Sequence, residues 1–152
     1  MITYPEAADF SVLKDEIHRL VTDELGIWNE IPYSRSSLLI SKCSGGMSNI
    51  VLKVENRAKM PPISILVRLF GTGNSLCSCR QRLETFWMSL LSEVGNCPKV
   101  LLEFANGRIE TFLEDYFTLT LEHITSEFYS MKIARELAAI HKQTDKILKG
   151  TL

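Results

Sequence analysis

From Ser11 to Leu25 the apolar residues Leu13, Ile17, Leu20, Val21 and Leu25 recur at helical spacing, which predicts an amphipathic helix with one face toward a core. Asp9 or Ser11 can cap its start and Gly26 can stop it. Acidic and basic residues alternate around the other face, the pattern of a solvated surface. After the turn-rich "NEIPYSRSS" the period changes: "SLLISKCS" and "NIVLKVEN" read as two strands of one hairpin. "NRAKMPP" ends in two prolines that cannot continue a ladder, and "ISILVRLFG", Ile63 to Gly71, is a third strand. A connector, "GTGNSLCS", leads to a helix from Arg80 to Glu93 with Leu83, Phe86, Trp87, Leu90 and Leu91 along one face, ended by Gly95, Asn96 and Pro98. "KVLLEFA" and "RIETFLE" predict two more strands, joined by Asn106-Gly107, the strongest hairpin signal in the chain. A last helix runs from about Thr125 to Leu148, its apolar side formed by Phe128, Met131, Ala134, Leu137, Ala138 and His141.

Short loops between consecutive strands favour antiparallel pairing with helices packed against the sheet. The predicted class is therefore α+β: an N-terminal helix, a five-stranded antiparallel sheet, a helix inserted after the third strand, and a long C-terminal helix. A chain of 152 residues fits one domain, burying roughly two thirds of the surface exposed when unfolded. Its formal charge of −1 provides no overall field for nucleic acid or an anionic membrane. Any anion site must be local. Cys43, Cys77, Cys79 and Cys97 are few for a disulfide framework, and the Cys77-Ser78-Cys79 spacing lacks the partners of a zinc site, so free thiols and a cytoplasmic location are expected. No stretch approaches the ~20 apolar residues of a membrane span.

The tip of the first hairpin, "KCSGGMSNIVLKV", sets Gly45, Gly46, Ser48 and Asn49 between the strands. Glycine and asparagine tolerate the positive φ of a tight turn. The same bare backbone also lets amide NH groups approach a phosphate, with a hydroxyl and an amide side chain beside them. Both readings stand on these residues alone. Arg68 is the other unusual residue, a cation within an apolar strand and on the same face as Ser64, Leu66 and Phe70. It is paired, points into a cleft, or lies on a half-exposed face.

A glycine-rich hairpin, a cation on the next strand and an acid on the following helix, here Glu84, are the parts of a protein-kinase-like nucleotide lobe. In that arrangement Glu84 would orient Arg68. "GGMSNIVLKV", "ILVRLFG", "LETFWMSLLSEVG…PKVLLEFANGRIETFL" and "MKIARELAAIH" together resemble the choline/ethanolamine kinases, relatives of the aminoglycoside phosphotransferases, over roughly residues 36 to 143. The resemblance implies a protein-kinase-like N-terminal lobe and an ATP- and Mg2+-dependent kinase making phosphocholine or phosphoethanolamine in phospholipid synthesis. It implies that Ser44, Gly45, Gly46, Met47, Ser48, Asn49 and Ile50 form the nucleotide loop, with Gly46, Met47 and Ser48 also bordering the substrate. It assigns Arg68 to the phosphates, Glu84 to the helix acid, and Thr111, Phe112, Leu113, Glu114, Asp115, Tyr116 and Phe117, with Glu110 just before them, to the adenine-side hinge.

Residues 1–35 are then an N-terminal helix and linker, 36–117 the nucleotide-binding lobe, and 118–152 the first helix of a second lobe. None of His18, His123 and His141 is followed two positions on by an aspartate, as the catalytic loop of that family requires, and Asp115 and Asp145 sit in no such motif. His141 reads as a packing or capping residue. The expectation is a chain that supplies the nucleotide side only, with catalytic and metal-binding residues in a missing C-terminal lobe, and that is inactive alone. The alternative is a non-catalytic scaffold for binding or dimerisation. Either way the apolar face from Phe128 to Ile140 should be exposed, open to a homodimer partner or a C-terminal lobe.

Overall fold

Leu13, Ile17, Leu20 and Val21 all turn inward on helix α1 (Ser11–Arg19) and on the π-helical turn Leu20–Leu25 that continues it. Gly26 closes that turn at φ 65°, its NH donating to the Thr22 carbonyl at 3.2 Å; glycine takes this left-handed conformation without a Cβ penalty. The computed structural model describes residues 11–26, 34–43, 49–70, 75–95 and 97–150, and of 75–80 the backbone alone. Asp9, Asn96, the side chains of Cys77 and Cys79, and the hairpin tip at residues 44–48 lie outside that set. Arg35, bonded to Asp15, ties α1 to the chain entering the sheet.

The sheet has the order β1-β2-β3-β5-β4, antiparallel throughout, formed by β1 (Leu38–Lys42), β2 (Asn49–Asn56), β3 (Ile63–Phe70), β4 (Val100–Phe104) and β5 (Gly107–Thr111). Alternation along these strands sorts the side chains into two faces. Val54 stands between Ile40 and Ile65, and Val67 between Leu52 and Ile109; with Leu38 and Leu69 they join α1 in one buried apolar cluster. The other face carries Lys53, Leu66, Arg68, Phe70, Arg108 and Glu110. Helix α2 (Ser75–Glu93) meets that second face around Arg108.

Several elements differ from the periodicity reading. Helix α2 begins at Ser75, and the innermost of its described side chains are Thr85 and Ser92, while Leu83 and Phe86 are more than half exposed. The helix packs a polar face onto a charged sheet surface, which apolar spacing does not report. Strand β5 stops at Thr111 instead of Glu114, where its β4 side gives out: the Thr111 hydroxyl accepts from the Lys99 NH at 2.9 Å, and Pro98, before Lys99, has no NH for a ladder. The hairpin between β4 and β5 turns on Ala105 and Asn106, and Gly107 is already in the strand, opposite Phe104. Gly107 is needed for close approach and not for the turn: a Cβ there would lie 2.3 Å from the Arg68 carbonyl oxygen and 2.6 Å from the Phe104 ring.

The last helix, α4 (Glu127–Leu148), runs where it was expected, and a short helix α3 (Leu121–Thr125) precedes it. Thr120 and His123 cap α3 reciprocally, and Ser126, extended at ψ 140°, accepts from the Tyr129 NH to start α4. Phe128, Met131 and Leu137 are about half exposed or more, as expected of that face. His141 is exposed as well, inside α4 and away from both of its ends.

Candidate functional site

Arg68 on β3 and Arg108 on β5 are direct register partners. Like charges placed opposite each other on neighbouring strands repel, and two carboxylates resolve the conflict. Glu110 Oε1 accepts from Arg68 Nε at 3.1 Å and from Arg108 Nε at 2.5 Å. Glu84 accepts from Arg108 Nη2 at 2.7 Å. Thr85 Oγ1 accepts from Arg108 Nη1 at 3.2 Å, and Met88 Sδ lies 2.9 Å from Nη2. The Arg108 side chain is wholly buried and Glu110 is 2% exposed, against 25% for Arg68 and 50% for Glu84. Burial alone would lower the Arg108 pKa; its hydrogen bonds to Glu84 and Glu110, and their charges, outweigh that and hold it above the ordinary arginine value. The cluster is neutral, two cations with two carboxylates, which is how buried charge becomes tolerable.

This arrangement corrects the expected pairing of Arg68 with Glu84. The α2 acid is taken by Arg108, and the acid that holds Arg68 is Glu110. Of the readings open for Arg68, paired and partly exposed, on the sheet face that α2 meets, is the one found. Arg108 was missed because it reads as one more charge beside a turn; its position two residues before Glu110, on one strand face, was the available signal. The thiol of Cys97, near this cluster, has its pKa raised by burial and then by the Glu110 charge. Among the described residues, Cys43 and Cys97 are free thiols.

The segment after β5, an inner strand of the sheet, is exposed from Leu113 to Phe117. Lys53 lies 4.3 Å above the Phe112 ring and within 3.6 Å of Glu114, tying this segment to β2. Asp115 has φ 60°, which turns the chain away from the strand direction. Leu113, Tyr116 and Phe117 are exposed, and Phe117 packs edge-on against His123 and Tyr129. Asn49 and Ile50 open β2 opposite Phe70 and Leu69, placing the hairpin end next to the end of the arginine strand. Ser44, Gly45, Gly46, Met47 and Ser48 lie outside the described residues. Among the described residues no group of three His, Cys, Asp or Glu side chains could hold a metal ion, and no helix is long and apolar enough to cross a membrane.

A family model described as choline/ethanolamine kinase matches residues 40–150. A probable ethanolamine kinase of Arabidopsis thaliana is 32% identical over 127 residues, 83% of this chain and 33% of that protein. A choline kinase of Saccharomyces cerevisiae is 35% identical over 101 residues, 66% of this chain and 16% of that protein. The chain thus spans a third or less of these relatives. The crystal structure of a choline kinase from Cryptosporidium parvum superposes at a TM-score of 0.63 with 20% identity, covering 82% of this chain and 33% of the other. A Plasmodium vivax ethanolamine kinase gives 0.61 with 23% identity, 90% and 40% covered. At those identities the likeness is one of fold: an α+β, kinase-like N-terminal lobe.

Proposed function

We infer that this chain supplies the nucleotide side of an ATP-dependent choline or ethanolamine kinase, since it belongs to the choline/ethanolamine kinase family. The observation that carries the reading is the Arg68 guanidinium, held through Nε by Glu110 and a quarter exposed on the sheet face opposite the apolar core. Neither of its Nη groups bonds another of the described residues, so both can meet phosphate oxygens in the forked geometry that suits arginine. ATP would lie between this face and the segment Thr111 to Phe117, with the hairpin residues Ser44 to Ile50 over its phosphates. Bound Mg2+ would neutralise phosphate charge, and its ligands and the general base would come from residues beyond the lobe seen here. Residues 118–152 would then open the second lobe, and the exposed Phe128, Met131 and Leu137 support a further protein surface covering α4. A cytoplasmic site of action fits such a lobe.

Titration of the 15N-labelled chain with ATP tests this. Amide shifts are expected at Asn49, Ile50 and residues 111–117, and Arg68→Ala should weaken binding roughly tenfold or more, the loss of a charge-assisted hydrogen-bonding group. Equal affinity in the variant would remove Arg68 from the site.

A further inference from the structure

The buried arginine between the two acids has no part in the reading above, yet it is the residue on which the cluster turns. Glu84, half exposed on α2, reaches no cation of β3; its bond goes to Arg108 Nη2 at 2.7 Å. Glu110 is shared unequally, 2.5 Å from Arg108 and 3.1 Å from Arg68. We propose that Arg108 is a positioning residue for Arg68: with Glu84 as its second carboxylate it can share Glu110 with the Arg68 guanidinium, so the α2 acid acts on the β3 cation only through β5. This rests on the reading of Arg68 as the phosphate cation.

The direction of the coupling follows from burial and distance. Arg108 is 0% exposed and cannot replace a lost carboxylate with water. If Glu84 is withdrawn, the one other carboxylate bonded to Arg108 is Glu110, which is already nearer to it than to Arg68. The longer bond yields. Arg68 is then released from its strand-side anchor and loses its fixed orientation. Movement of α2 that parts Glu84 from Arg108 would have the same effect, so the helix gains control of the cation without touching it.

The test uses the full 152-residue chain and follows the Arg68 Nε–Hε resonance, assigned by its disappearance in Arg68→Ala. In Glu84→Gln its exchange with water should speed up about tenfold, the loss of a charge-assisted hydrogen bond. Glu84→Asp, which keeps the charge, should restore slow exchange. ATP affinity supplies a second readout. Removing a negative charge beside the cleft would by itself strengthen anion binding, whereas loss of orientation weakens it, and weaker binding is expected in Glu84→Gln. Arg108→Lys, with one ammonium in place of a fork, should behave likewise where it folds; Glu84→Gln does not depend on that. Unchanged Arg68 exchange in folded Glu84→Gln would overturn the proposal. Faster exchange there, with ATP binding indifferent to Arg68→Ala, would keep the linkage but refute its use in nucleotide binding.

Discussion

Replacing Gly107 with alanine adds one methyl group at the place where β3, β5 and the hairpin turn come closest. An ideal Cβ would stand 2.3 Å from the Arg68 carbonyl oxygen and 2.6 Å from Phe104 Cζ. The phenyl ring can swing aside, but the carbonyl belongs to the β3 backbone, so the strands must part by about 1 Å to restore an ordinary contact. Gly107 faces Leu69 in the ladder, and the neighbouring Phe70 NH donates to the Asn106 carbonyl at 2.8 Å. Overpacking costs about 1–3 kcal/mol and the strained hydrogen bond about 1, while the stiffer unfolded chain returns about 0.4–1. A net loss of about 1–3.5 kcal/mol is expected, which for a domain of this size lowers Tm by roughly 2–14 °C. Urea unfolding followed by circular dichroism measures it. A Gly107→Ala variant within ~0.5 kcal/mol of the parent, the ordinary range of a surface change, would show that β3 and β5 do not meet at this register.

Arg108→Met should cost about 3–5 kcal/mol, because it leaves Glu110 buried with one partner at 3.1 Å; the same unfolding assay reads it, and a neutral result would mean that the carboxylate reaches water. His18 has its pKa lowered from 6.5, mainly by burial, against the opposing charges of Asp23 and Asp15. The unfolded chain therefore binds the proton more readily, and the stability this contributes is present above pH 6.5 and shrinks as pH falls through that value toward the folded one. Denaturant midpoints between about pH 7.5 and 5 should fall in the parent and fall less in His18→Gln.

The strands were legible because their burial is one-sided. Leu52, Val54, Ile65 and Val67 alternate with residues that face the other way, and the period of two survives in the sequence. Helix α1 was legible for the same reason, down to the glycine that ends it. Helix α2 was legible as a helix but not in its orientation, since its inner face is made of Thr85, Met88 and Ser92 and its half-exposed side carries Leu83 and Phe86. A hydrophobic period assumes an apolar partner. The short α3 before α4 was likewise invisible to periodicity, being set by the local hydrogen bonds of Thr120, His123 and Ser126.

The pairing of Arg68 was misread for a related reason. Order along the chain placed a cation and then an acid, and suggested that they meet; β5, which follows α2 in the chain but pairs with β3 in the sheet, brought a second cation to the same face. Once Arg108 stands opposite Arg68, pairing Glu84 with Arg68 would leave the more deeply buried arginine with Glu110 alone. Desolvation penalises that choice, because an incompletely paired charge costs most where water is excluded. Arg68, a quarter exposed, can keep part of its hydration. The two acids therefore serve the buried cation first, and the exposed one keeps the free donors that an anionic ligand can use.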